Sequence, residues 1–193
     1  MMNYEALFNA HVGLQVDKWR HYFPIYDRHL GHLRGTGPRV LEIGVDHGGS
    51  MQLWQRFFGW QAQITGLDIN PACENLADTL GRANTRIVIG DQSDPKRLEE
   101  LGEFDVVIDD GSHNRNDQSV SFAHLWPKTK CVYLIEDCHS GYPYIEPVPA
   151  ITTRYPWVMV MERPKRIIRG TPARDLREDE LQARRLFGVK CQS

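Results

Sequence analysis

Four acidic residues stand as two adjacent pairs, and each pair closes an apolar run: Asp109 and Asp110 end FDVVIDD, and Glu136 and Asp137 end CVYLIED. If the two runs are neighbouring strands, all four carboxylates converge on one sheet edge, and the mutual repulsion of three facing one point would ask for a cation. Oxygen ligands on a rigid scaffold favour Mg²⁺, with Ca²⁺ or Mn²⁺ as alternatives. The plainer reading is that Asp109 and Asp110 cap the following turn while Glu136 and Asp137 pair with arginines. His113 follows Asp110 by three positions and His139 follows Asp137 by two. Either imidazole could act as a general base near neutral pH. A loop histidine can equally be plain surface, but one beside each acidic pair points to function in at least one of them.

A second candidate site begins at RVLEIGVDHGGS, Arg39 to Ser50. Val40, Leu41 and Ile43 suit a central strand buried on both faces. Gly44, Gly48 and Gly49 then allow a sharp turn and a close approach to a ligand before Ser50 opens a helix over Met51 to Phe58. A further apolar run, ITGLDIN, brings Asp68 and Ile69 eighteen residues after Ser50, where a carboxylate can accept hydrogen bonds from ribose hydroxyls. The spacing departs from the dinucleotide fingerprint, and Asp46 in the turn would repel a pyrophosphate. A cationic nucleoside meets no such objection. The bland alternative is a tight strand-to-helix turn without a ligand.

These sites need a scaffold that delivers strand ends to one edge. Tyr4 to Leu33 reads as a helical lead-in with an aromatic cluster at Trp19, Tyr22, Phe23 and Tyr26, closed by Gly35 and Gly37-Pro38. After Asp68, Asn70-Pro71 starts a helix to about Leu80. RIVIG, Arg86 to Gly90, is a third strand leading to Asp91, and Asp94-Pro95 starts a helix to Leu101. Phe104 to Asp110 is a fourth strand, Gln118 to Trp126 a helix, and Cys131 to Asp137 a fifth strand. Ser140 to Pro156 reads as an active-site loop or lid, and WVMVM, Trp157 to Met161, as a sixth strand. The alternation predicts an α/β fold: a Rossmann-like, doubly wound, mainly parallel sheet in a three-layer αβα arrangement, with ligands beyond the carboxyl ends of the strands.

Composition sets the outer bounds. The 193 residues suit one domain: lead-in 1–38, core 39–161 and basic tail 162–193. A formal net charge of -2 gives no global reason to expect nucleic acid or an anionic membrane as partner. Neither a signal peptide nor an apolar run of membrane-helix length is seen. Cys73, Cys131, Cys138 and Cys191 lack metal-finger spacing, which fits reduced thiols in a cytoplasmic protein. From Arg163 to Lys190 nine Lys or Arg face four acids, and Asp175 to Phe187 reads as partly helical. Solvated surface, a homo-oligomer contact, or recognition of an acidic sugar through Arg166 and Arg169 would each account for it.

The turn after Glu42 resembles motif I of class I S-adenosylmethionine-dependent methyltransferases, with Asp46 where a middle glycine is usual. Together, VDKW, VLEIGV, GLDINP, GDQSD, VVIDDGSH and LIED resemble the metal-dependent sugar O-methyltransferases of macrolide biosynthesis and the related cephalosporin hydroxylase-like family, over about Val16 to Tyr142. That resemblance implies S-adenosylmethionine held at Glu42, Gly44, Gly48 and Ser50, at Asp68 with Ile69, and at Asp91 near the adenine, with Asp109 alongside. It implies Mg²⁺ on Asp110, Glu136 and Asp137, His113 as base, and a sugar hydroxyl as acceptor. His139 stays open as the other base. A catechol-type methyltransferase, a non-catalytic cofactor-binding protein and, more remotely, a dehydrogenase are the competing readings.

Overall fold

The apolar runs pair as the alternation predicts. The computed structural model describes residues 2–80 and 84–164; the expected helix over Asp175 to Phe187, the basic tail beyond Pro164 and Cys191 lie outside them. Strands β1 (Arg39–Ile43), β2 (Gln63–Asp68), β3 (Thr85–Ile89), β4 (Phe104–Asp109), β5 (Thr129–Ile135), β6 (Ile151–Tyr155) and β7 (Val158–Glu162) form one sheet in the order β3-β2-β1-β4-β5-β7-β6. The first five are parallel, and β7 runs antiparallel to both β5 and β6. Strand order reverses between β1 and β4, which opens a crevice at their carboxyl ends.

Helices α1 (Tyr4–Asn9), α2 (Phe23–Leu30), α3 (Gly49–Phe58), α4 (Leu76–Leu80), α5 (Pro95–Glu100) and α6 (Arg115–Leu125) cover the sheet. Because side chains alternate across a strand, the strands feed two cores. Val40, Ile64, Val106, Ile108 and Leu134 pack with α1, α2 and α3 through Tyr4, Tyr26, Trp54 and Phe57. Leu41, Ile43, Val107, Tyr133 and Ile135 pack with α5 and α6 through Leu98, Phe122 and Leu125. Burial on both faces is why these strands read as continuous apolar runs.

Two expectations need correction. The lead-in is not continuously helical: residues 10–19 form an irregular strap between α1 and a 3-10 turn at Arg20–Tyr22. Val12, Gly13 and Val16 are weak helix formers, and the strap backbone lies against Gly49, where a Cβ would run into the Leu14 and Gln15 carbonyls. The stretch from Ser140 to Pro156 is not all loop, because Ile151–Tyr155 forms the edge strand β6 and WVMVM supplies the seventh strand, not the sixth. Polar residues on an exposed edge, ITTRY, hid that strand.

Candidate active site

A cavity of about 870 Å³ opens at the carboxyl ends of β1, β2 and β4. Gly44, φ 88°, makes its floor possible: a Cβ there would strike the Asp110 backbone carbonyl, so β1 and β4 could not finish side by side. The next residues, Val45 and Asp46, donate their backbone N–H groups to Asp68 Oδ2 at 2.7 and 3.1 Å. Asp68 Oδ1 accepts from Asn70 N–H at 2.8 Å. Asp68 thereby shapes the turn and still lines the cavity together with Ile69, Ser50 and Asp91. Asp91 is itself held by Ser93, whose N–H and hydroxyl donate to Oδ1 at 2.7 and 2.8 Å.

The four acids do not all face one point. Alternation sends Asp109 to the α5/α6 side, where it is buried and accepts from Gln92 Nε2 at 3.1 Å and from the Tyr133 hydroxyl at 3.2 Å. Burial pushes its carboxyl up to about 6 against those hydrogen bonds. Asp109 does not line the cavity; it ties β4 to β5 and to the Gln92 loop. Glu42, also buried, lies beneath the cavity and not on its wall: Ser50 Oγ and Trp54 Nε1 each donate to it at 2.8 Å. Burial raises its carboxyl to about 7, opposed by Lys18, Trp54 and Ser50. Gly48, φ 81°, caps α3 and is likewise absent from the wall.

Asp110 and Glu136 do converge, around a cation absent from the expected set, and Asp137 joins Asp110 on the side of His113. Lys18, from the strap, places its ammonium 2.5 Å from Asp110 Oδ2, 2.9 Å from Glu136 Oε2 and 3.8 Å from Glu42, with its side chain 2% exposed. Burial alone would pull its pKa down; Asp110, Glu136 and Glu42 outweigh it and hold the ammonium well above its ordinary value. Glu136 Oε1 accepts from the Tyr26 hydroxyl at 2.8 Å. Burial pushes the Glu136 carboxyl upward while the Lys18 ammonium pulls it down. The signal for Lys18 is in the chain: it is the lysine of VDKW, a charged residue entering an aromatic run.

Asp137 completes the centre. Its Oδ1 accepts from the Tyr22 hydroxyl at 2.7 Å and lies 3.0 Å from His139 Nε2, and its Oδ2 is 3.8 Å from His113 Nε2. The two histidines therefore flank one carboxylate from opposite oxygens, and His113 also lines the cavity while His139 stands outside it. Asp46, His113 and Asp137 all have positive φ, at 47°, 57° and 53°, conformations that cost energy outside glycine and gather at working sites. Asp110, His113 and Asp137 each offer a ligand atom within 4.8 Å of the others. An oxygen-rich donor set that already holds one cation, Lys18, suits a hard divalent ion.

The sheet order and the crevice at the β1/β4 reversal are those of the class I methyltransferases, and that is the fold of this chain. No protein-family model matches the sequence. Among curated proteins the chain is 41% identical over 143 residues to demethylmacrocin O-methyltransferase of Streptomyces fradiae, covering 65% of this chain and 34% of that protein. It is 40% identical over 136 residues to mycinamicin VI 2''-O-methyltransferase of Micromonospora griseorubida, covering 63% and 33%. The chain thus spans about a third of the length of these relatives. Among solved structures, the MycE methyltransferase of the mycinamycin biosynthetic pathway, in complex with Mg, SAH and mycinamycin VI, superposes with a TM-score of 0.66 at 28% identity, over 82% of this chain and 53% of that one. Other matched relatives are named for glycosylated acceptors, a rhamnosyl-tetracenomycin 3'-O-methyltransferase of Streptomyces olivaceus and an L-olivosyl-oleandolide 3-O-methyltransferase of Streptomyces antibioticus. Among the described residues no helix is long and apolar enough to cross a membrane.

Proposed function

We propose that the chain is the catalytic unit of a Mg²⁺- and S-adenosylmethionine-dependent O-methyltransferase acting on a sugar hydroxyl of a natural product or glycan. The observation that carries this reading is the meeting of Asp110, His113 and Asp137 within 4.8 Å on the wall of the cavity that Asp68 and Asp91 also line. The relatives with that fold act on sugar-bearing natural products, and the MycE structure was determined with Mg and SAH.

In this reading Asp68 receives the ribose hydroxyls, Asp91 lies toward the adenine, and the Gly44 to Ser50 turn lines the sulfonium end. Asp110, Glu136 and Asp137 would hold the divalent ion. When bound, that ion supplies a Lewis acid that lowers the pKa of an acceptor hydroxyl. His113 takes the hydroxyl proton on Nε2, and Asp137, 3.8 Å away, stabilises the imidazolium that forms. His139 is held against the other Asp137 oxygen outside the cavity, which favours His113 as the base. Tyr22 and Tyr26 keep Asp137 and Glu136 oriented through their hydroxyls.

Calorimetric titration with S-adenosylmethionine and SAH, with and without Mg²⁺, tests the reading in the wild type and Asp110→Asn. Both cofactors should bind the wild type, and a Mg²⁺ response should be lost in the variant. His113→Ala should keep cofactor affinity while turnover falls by about 10²-fold or more. Absence of binding by either cofactor sinks the methyltransferase reading.

A further inference from the structure

The hairpin joining β6 to β7 turns on a residue poorly suited to it. Tyr155 pairs with Val158, so Pro156 and Trp157 alone make the loop. Proline fixes its own φ near about −65°, and Trp157 then takes a φ of 63°. Glycine or asparagine is usual at such a position, and a bulky aromatic there is an outlier. Backbone strain of this kind persists where the side chain has a task. The Trp157 ring is displayed, at 40% exposure, and its neighbours are aromatic as well. Trp19, 50% exposed, lies 5.4 Å away between ring centroids, as does His21; His139 is 4.5 Å away.

This exposed cluster is continuous with the acidic centre. The Trp157 carbonyl accepts from the backbone N–H of Cys138, the residue after Asp137, at 2.8 Å. The His139 ring reaches from Trp157 to Asp137 Oδ1, 3.0 Å from its Nε2. Trp19 follows Lys18 in the strap and itself lines the cavity.

Resting on the methyl-transfer reading, we propose that Trp157 and Trp19, backed by His139 and His21, form a stacking platform for the pyranose ring of the acceptor. A sugar ring has an apolar face of C–H bonds and a rim of hydroxyls. The platform meets the first by aromatic contact, and Asp137 and His113 meet the second by hydrogen bonding. One ring held across this border is thereby oriented with a hydroxyl toward the reacting centre, as orientation of a reactant demands.

Saturation-transfer NMR with methyl α-L-rhamnopyranoside, on the full chain saturated with SAH and Mg²⁺, tests the platform. Transfer to the ring protons is expected in the wild type. In Trp157→Gly, whose new residue suits the positive φ, folding and SAH affinity should be kept while glycoside affinity falls about tenfold. Trp157→Phe should restore most of it. Unchanged glycoside affinity in Trp157→Gly, or no transfer in a wild type that binds SAH, overturns the platform and leaves the methyl-transfer reading standing. A wild type that binds no SAH overturns both. A tryptophan fluorescence response to phosphatidylcholine vesicles, with none to the glycoside, assigns the cluster to a lipid surface and also overturns it.

Discussion

Lys18 holds the acidic centre together in the protein without metal, and its role is open to a direct test. Its ammonium contacts Asp110 and Glu136, two of the three acids proposed for Mg²⁺. Removing one partner of a buried ion cluster leaves uncompensated charge, so Lys18→Met in chelator should lose about 3 kcal/mol of stability by urea denaturation. The same change removes a competing positive charge, so Mg²⁺ affinity by calorimetry should rise about tenfold. A weaker Mg²⁺ affinity would make Lys18 a support of the metal site and not its rival. Glu42 gives the pH dependence. Its carboxyl titrates at about 7 in the folded chain against an ordinary 4.5, so the folded state holds the proton more tightly than the unfolded chain. The contribution of Glu42 to stability is therefore fully present below pH 4.5 and is lost as pH rises through about 7, by about 3 kcal/mol at about 1.4 kcal/mol per pK unit. In Glu42→Gln, where the amide can still accept from Trp54 and donate to Ser50, that part of the decline should vanish in chelator-treated protein unfolded across pH 5 to 8. A slope equal to the wild type's would rule Glu42 out as its source.

At the scale of elements, the strap and the β4 and β5 ends do the positioning. Asp109 and Asp110 are adjacent, and strand alternation alone requires that they face opposite sides, so the divergence of Asp109 toward Gln92 and Tyr133 was present in the pattern FDVVIDD. The strap was less legible. Its residues have no apolar period, and its course depends on Gly49, which is far from it in the chain and close in space. Leu14 N–H donates to Gln52 Oε1 at 2.9 Å, and the strap carbonyls lie where a Gly49 Cβ would stand. Gly49→Ala should therefore lift the strap: we expect a loss of about 1 to 3 kcal/mol together with weaker SAH binding, since Gln15 to Trp19 line the cavity. A circular-dichroism spectrum unchanged from wild type would show that the sheet survives. Unchanged SAH affinity would mean that the strap is not part of the cofactor wall.

At the scale of the whole molecule, five parallel strands and the ligand crevice follow from the βα alternation, and the motif runs place Asp68, Asp91, Asp110, Glu136, Asp137 and His113 at strand ends. The edge hairpin, the strap and Lys18 do not follow, because each is decided by contacts between distant segments. The cavity wall and the aromatic platform lie between Gln15 and Trp157, and among the described residues the last strand ends at Glu162. Arg163 then ties the end of β7 to the start of β5: its backbone N–H donates to the Cys131 carbonyl at 2.8 Å, its guanidinium to the Thr129 and Trp126 carbonyls at 3.0 and 2.5 Å, and its charge lies 4.0 Å from the centre of the Trp126 ring. Both cores, the cavity and the acidic centre are built from described residues up to Pro164, so a chain ending there is expected to retain them. It should unfold in one cooperative transition and bind SAH within about twofold of the full chain, with its Mg²⁺ response intact. Loss of SAH binding on that truncation, with the transition still cooperative, would place part of the cofactor site in residues 165–193 and redraw the catalytic unit to include them.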